Sequence, residues 1–370
     1  MGLFSDASLC YARFQQSELE HKRIIRGRSR HENPGYSSAV SALAPLHGCE
    51  RYYKNPMPRK NFPLFILQVA VSLAIFGFLV LQIDPSAFLQ GILKIKIGYL
   101  LIALVLFPLG QLVSVIKWRY LARPLGIHQD FKPMVGLYFI GTFFNFLLPT
   151  SIGGDITRSL YLSPESGKTR IAFLSVLVER GSGVVSHLIL ASIVLLTPVG
   201  APLPQMLRFG FPLLSLLILI FLALLPWFLG RTRTRLRDIV CRDLIVFWRK
   251  PRIGVVAVLY SMLFHLVLVM IHISMTRALS LSIPFAYHFI TVSLASLAAL
   301  LPSMNGIGIR DAVYIYLLSF LGISPAQGLL FSILWLITMA VSGFIGCIVY
   351  LIRGLNRPST LMREVQHGEG

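Results

Sequence analysis

The chain has 370 residues, of which 55% are hydrophobic and only 13% charged, whereas a soluble protein carries about a quarter charged residues. This balance, with apolar runs of about twenty residues recurring from residue 62 onward, excludes a soluble globular enzyme and predicts an all-α polytopic membrane protein. A net charge of +19 would suit a nucleic-acid binder, but the basic residues gather in a few loops and at the chain ends, as positive-inside orientation requires, so no nucleic-acid partner is expected.

Residues 1–56 are polar, mixed in charge and without the apolar core of a signal peptide. Met1-Gly2 opens like a myristoylation site, but Asp6 stands where Ser or Thr is needed. The segment reads either as a disordered tail or as a mis-assigned start ahead of Met57. A transmembrane domain over 57–355 and a cytoplasmic tail over 356–370 follow.

Six crossings are expected, the first over Phe62–Ile83 behind Arg59 and Lys60, which places its start in the cytoplasm. The second, Tyr99–Ile116, returns to a basic loop carrying Lys117, Arg119, Arg123 and Lys132. Met134–Leu148 is too short to cross and stops at Pro149, and the chain leads back to Lys168 and Arg170, so this stretch reads as a re-entrant hairpin. Ile171–Leu196 exits to the uncharged loop Thr197–Gln205, and Phe209–Leu229 re-enters to the basic block Arg231–Arg252. Ile253–Met275 exits again. Pro284–Leu321 forms a second hairpin from the outside, and Leu329–Ile352 ends near Arg353 and Arg357 in the cytoplasm. Crossing, crossing, hairpin, crossing thus occurs twice, about 150 residues apart and inverted, an arrangement typical of transporters. A multi-pass protein of the inner (cytoplasmic) membrane with both termini cytoplasmic is the resulting expectation.

The hairpin tips carry the chemistry. The first reads Pro149-Thr-Ser-Ile-Gly153-Gly154-Asp155-Ile-Thr-Arg158, and the second Pro302-Ser-Met-Asn305-Gly306-Ile-Gly308-Ile-Arg310-Asp311. The prolines stop helices, the glycines permit tight turns, and freed N–H groups with an arginine fork favour an anion. A third site lies within a crossing at Glu179-Arg180, where an unpaired charge costs several kcal/mol. Glu179 is expected to meet Arg158 or Arg310, and Arg180 to meet Asp155 or Asp311. Structural ion pairing and a headgroup cavity are both consistent with that pattern.

These segments, with Val178-Glu179-Arg180 and Lys117-Trp118, resemble the motifs of the transmembrane region of lysylphosphatidylglycerol synthases, the flippase-like domain of the multiple peptide resistance factor, over roughly Phe62–Leu355. The resemblance implies translocation of an anionic lipid, with a lipid- or sugar-transferase as partner. Two departures stand out. Asp311 follows the basic residue where that family commonly has a glutamate, and the chain ends at Gly370 without room for the soluble aminoacyl-transferase domain. The alternatives are a membrane-embedded transferase acting on a lipid-linked substrate, or a non-transporting partner of a lipid-modifying enzyme.

No cofactor is expected. Gly167-Lys168-Thr169 lacks the earlier glycine of a phosphate-binding loop, with Leu162 in its place. Cys10, Cys49, Cys241 and Cys347 show no paired spacing and read as free thiols. His187, His265, His272 and His288 lie in or near crossings, where hydrogen-bonded packing is the plainer reading than a metal or proton relay.

Overall fold

The computed structural model describes residues 62–81, 85–148, 153–166, 169–229, 243–301, 303 and 306–355. Contacts divide the chain into two units, residues 1–66 and 67–370, and the packing described below is that of the second. The expected tail over 1–56, the basic residues 231–242, Asn305 and three of the four cysteines lie outside the described residues; Cys347 is a free thiol.

The described residues are helical, without strands. An apolar run in lipid has no water to satisfy its amides, so it closes its own hydrogen bonds. In chain order the helices are α1 (Phe62–Leu81), α2 (Pro85–Leu93), α3 (Ile97–Ala122), α4 (Phe131–Leu147), α5 (Gly153–Ser166), α6 (Thr169–Leu195), α7 (Phe211–Leu229), α8 (Pro251–Ala278), α9 (Tyr287–Ala298), α10 (Ile309–Ser319) and α11 (Pro325–Leu355). Five helical stretches, on α3, α6, α7, α8 and α11, are long and apolar enough to cross a bilayer, which matches five of the six expected crossings. The sixth falls on α1, of which Ser72–Leu81 counts among the shorter apolar helices. The pairs α4/α5 and α9/α10 are the two hairpins.

The second crossing ends later than the sequence suggested. Helix α3 runs on to Ala122, so Lys117 is no loop residue: it sits inside the helix, 3% exposed. A lysine that has a buried partner does not need to end a span.

The inverted repeat is visible in the packing. Helices α3 and α8 lie antiparallel: the Lys96 amide donates to the Ala278 carbonyl at 2.9 Å, Gly110 faces Phe264 and Val267, and Lys117 Nζ donates to Ser261 Oγ at 3.1 Å. Around this pair the contacts of the hairpins and of the spans that follow them have counterparts in the two halves. Helix α11 packs on α4 as α6 packs on α9, and α5 packs on α6 as α10 packs on α11. Likewise α6 meets α8 as α11 meets α3. Exchanging the halves reverses the chain direction of the central pair, so the halves are inverted. At one end of the bundle Arg170 Nη2 reaches Asp243 Oδ2 at 2.6 Å, joining two segments that the loop charges place on the same side.

Small residues let the helices approach. Phe139 on α4 brings its carbonyl so near Gly346 of α11 that a Cβ there would lie 2.0 Å from the oxygen, the close packing that stands in for hydrophobic drive within lipid. The second hairpin turn needs glycine for another reason. Gly306 and Gly308 have φ of 81° and 85°, the left-handed region disfavoured for residues with a Cβ. Gly308→Ala is expected to cost about 1–2 kcal/mol in thermal unfolding from backbone strain alone, and more in total because its Cβ would also press on the Ser72 carbonyl at 3.0 Å.

Candidate functional site

The first hairpin is held against α6 by charge. Asp155 and Arg158 share one face of α5, three residues apart, and α6 presents Glu179 and Arg180 to them. Arg158 Nη2 lies 2.7 Å from Glu179 Oε2 and 3.0 Å from Asp155 Oδ1. Arg180 grips Asp155 with two bonds, Nε to Oδ2 at 2.8 Å and Nη2 to Oδ1 at 2.9 Å. From α3, Lys117 Nζ reaches Glu179 Oε1 at 2.9 Å and donates to the Glu179 carbonyl at 3.1 Å. Of each pair of partners anticipated from the sequence, the structure selects Arg158 for Glu179 and Asp155 for Arg180.

Three of these charges are almost fully buried: Arg158 at 1%, Glu179 at 2% and Lys117 at 3% exposure. The Arg180 side chain is 45% exposed and forms the outer edge. Desolvating an ion costs several kcal/mol, which is offset here because each carboxylate oxygen has a cationic partner. The guanidinium of Arg158 also meets two aromatic rings, its Cζ 4.8 Å from the ring centroids of both Trp118 and Tyr138. Trp118 is fixed in turn by donating its Nε1–H to Ser175 Oγ at 3.0 Å.

Three cations face two carboxylates, so the cluster has a formal charge of +1 (Lys117, Arg158 and Arg180 against Asp155 and Glu179). In addition Arg158 Nη1 is buried with no hydrogen-bond partner in the protein. A buried surplus cation with a free donor is a place where an anion gains energy.

The second tip has a different chemistry at equivalent places. Arg158 and Glu179 of the first half correspond, 153 residues on, to Asp311 and Ser332 (158 to 311 and 179 to 332). The contact is retained with changed groups: the Ser332 hydroxyl donates to Asp311 Oδ1. The other Asp311 oxygen, Oδ2, accepts the Gly308 N–H at 2.8 Å and so caps α10. Arg310 is 3% exposed, 3.9 Å from Asp311 Oδ1 and with Nη1 3.1 Å from Met339 Sδ.

Two sequence expectations are corrected here. In the sequence the paired glycines of the first tip read as turn residues offering amides to an anion. Gly153 and Gly154 instead form the first turn of α5, where Gly154 crosses Gly141 so closely that a Cβ would lie 1.8 Å from its carbonyl oxygen, and the Gly154 N–H is already used by Asn145 Oδ1 at 2.8 Å. The Gly308 amide is likewise used, by Asp311. The sequence also offers Arg310 and Asp311 of the second tip as alternative partners for Glu179 and Arg180, yet Asp155, Arg158, Glu179 and Arg180 pair with one another and with Lys117, while the partners seen for Asp311 lie at the start of α10 and on α11. There are two centres.

Sequence reading did not place Lys117, Trp118, Tyr138, Ser261 or Ser332 in a site. Only the Lys117-Trp118 pair carried a usable signal, a basic residue and a tryptophan within one turn of an apolar span; the others are common residues whose role depends on contacts far along the chain.

The family model of the lysylphosphatidylglycerol synthase TM region matches residues 65–347. A UPF0104 membrane protein of Methanocaldococcus jannaschii is 32% identical over 115 residues, 29% of this chain and 34% of that protein. The chain thus matches about a third of the length of this curated relative. No solved structure matches it.

Proposed function

We propose, from the premise that this chain belongs to the lysylphosphatidylglycerol synthase TM region family, that it moves an anionic lipid headgroup between the leaflets of the cytoplasmic membrane. The observation that carries this reading is the surplus positive charge of the Lys117, Arg158 and Arg180 cluster, with Lys117 and Arg158 almost fully buried among the spans and Arg180 at the exposed edge. Two hydrophobic residues in place of a buried ion pair would serve stability as well or better.

The headgroup enters at Arg180, the exposed edge, and displaces Asp155 from that guanidinium. Its phosphate then meets the free Nη1 of Arg158. Asp155 and Glu179 hold the cations in position while no lipid is bound, leaving the surplus charge for the headgroup. The acyl chains stay in lipid, and the second centre at Arg310 and Asp311, on the inverted half, receives the headgroup on the other side. The basic loops support a cytoplasmic position for both termini.

The purified protein in phosphatidylcholine liposomes with a trace of fluorescent phosphatidylglycerol tests this. Dithionite quenching of the inner-leaflet fluorophore should proceed above the rate of protein-free liposomes. Quenching that stops at the outer leaflet, as in empty liposomes, overturns the reading. Turnover of a polyprenyl-phosphate sugar by the same preparation would favour a transferase.

A further inference from the structure

A row of polar side chains runs along the buried face of α8, through helices that are otherwise apolar. Ser261, His265, His272 and Thr276 recur at spacings of four, seven and four, which keeps them on one face. All four are buried, His265 at 1% and His272 at 0% exposure. The row begins at the first charge centre, where Ser261 accepts from Lys117 Nζ, and ends beside the second, where His272 Nε2 lies 3.2 Å from Oη of Tyr314, three residues along α10 from Asp311. It therefore runs from one centre of the inverted halves toward the other.

Its imidazoles are poorly served for groups with only a packing role. His265 Nε2 has Ser293 Oγ at 3.4 Å and His272 Nε2 has Tyr314, but Nδ1 of both, and Nδ1 of His187, are buried without a hydrogen-bond partner in the protein. The His187 and His265 rings lie 4.8 Å apart. Each unmade bond costs about 1–3 kcal/mol, and on His187 and His265, whose rings touch, and on His272 two turns further along α8, it leaves a nitrogen with no bond to break when a proton is taken up.

The surroundings define the electrostatics. From α3, Lys117 faces the row and lies within electrostatic reach of His187; from α6 come His187 itself and Glu179, paired with Lys117. From α9 come Ser293 and His288, from α10 Tyr314, Arg310 and Asp311, and from α11 the Ser332 that bonds Asp311. A proton added here joins a centre already at +1, which opposes it in a low dielectric. A bound monoanionic headgroup removes that opposition, and by linkage the proton favours the headgroup equally.

We propose that the α8 histidine row, with His187, takes up a proton together with each anionic headgroup, so that the protein is a proton–lipid cotransporter. The proton comes from water on one side, rests on an imidazole nitrogen during passage and is released to water on the other. Lipid anion and proton cross together without net charge, so the membrane potential, about 2.3 kcal/mol per charge per 100 mV, neither drives nor opposes the step. This inference rests on the lipid-moving reading above.

The test uses the full chain in phosphatidylcholine liposomes holding lumenal pyranine and trace fluorescent phosphatidylglycerol, with potassium and valinomycin clamping the potential at zero. One proton per lipid means that each unit of pH difference biases the steady-state leaflet ratio of the probe about tenfold. The double variant His187→Gln/His265→Gln should lose that bias and the lipid-dependent pyranine signal. Wild-type protein that exchanges probe yet leaves its leaflet ratio at one in the gradient overturns cotransport and leaves the lipid-moving reading standing. The same bias in a folded double variant overturns the assignment to these histidines, and should the variant not fold, the wild-type ratio decides. If wild-type protein exchanges no lipid, the lipid-moving reading and the cotransport built on it both fall.

Discussion

Arg158→Ala is expected to abolish leaflet exchange of phosphatidylglycerol, whereas Glu179→Gln should weaken the fold comparably yet keep affinity for the anion. Both substitutions break a buried pair, and removing one partner of such a pair costs about 3–5 kcal/mol. They differ in the charge they leave. Without Arg158 the cluster falls from a formal +1 to neutral and the free Nη1 donor is gone. Without the Glu179 carboxylate it rises to +2, and Lys117 and Arg158 each lose a partner that a phosphate can replace. Unfolding of both variants in detergent, with and without added phosphatidylglycerol, separates the effects. The lipid should raise the melting temperature of wild type and of Glu179→Gln, and leave Arg158→Ala unmoved. Equal lipid stabilisation of both variants would show that the cluster only pins the hairpin to α6.

The second large effect is expected at Gly154→Ala. Its Cβ would stand 1.8 Å from the Gly141 carbonyl oxygen and 2.7 Å from Asn145 Cγ. The first of these is backbone and cannot rotate away. Helix α5 must therefore lift from α4, taking Asp155 and Arg158 with it, so overpacking here should cost about 3 kcal/mol, the top of its usual range. Gly254→Ala is the control: a Cβ at that position of α8 meets nothing within 4 Å, and its melting temperature should stay near wild type or rise slightly with helix propensity. Similar melting curves for the two variants would rule out the close α4–α5 contact as a determinant of the fold.

How much of this was legible beforehand differs between residues. Glu179 and Arg180 declared themselves, because two charges in the middle of an apolar run have no cheap exposed position. Asp155 and Arg158 followed from their spacing on a short helix. Lys117 was misplaced into a loop, since a basic residue at the edge of an apolar stretch looks the same whether it meets water or a carboxylate. The two glycines of the first tip were assigned the wrong task for a related reason: a glycine pair after a proline suggests a turn, and nothing local reveals that another helix, at Gly141, passes within contact of Gly154.

The sequence alone determined the helical membrane architecture, the crossings and hairpins, their inverted order and the buried charges, because each rests on hydrophobicity, length or loop charge along the chain. The tertiary structure decided the partners. That Arg158 rather than Arg310 answers Glu179, that the halves hold Arg158–Glu179 in one and Asp311–Ser332 in the other, and that histidines on α8 run from one centre toward the other depend on which helices pack together: α5 on α6, α10 on α11 and α8 antiparallel to α3. Electrostatic pairing acts over a few ångströms in space, and the residues it joins here lie from 3 to 144 positions apart in the chain.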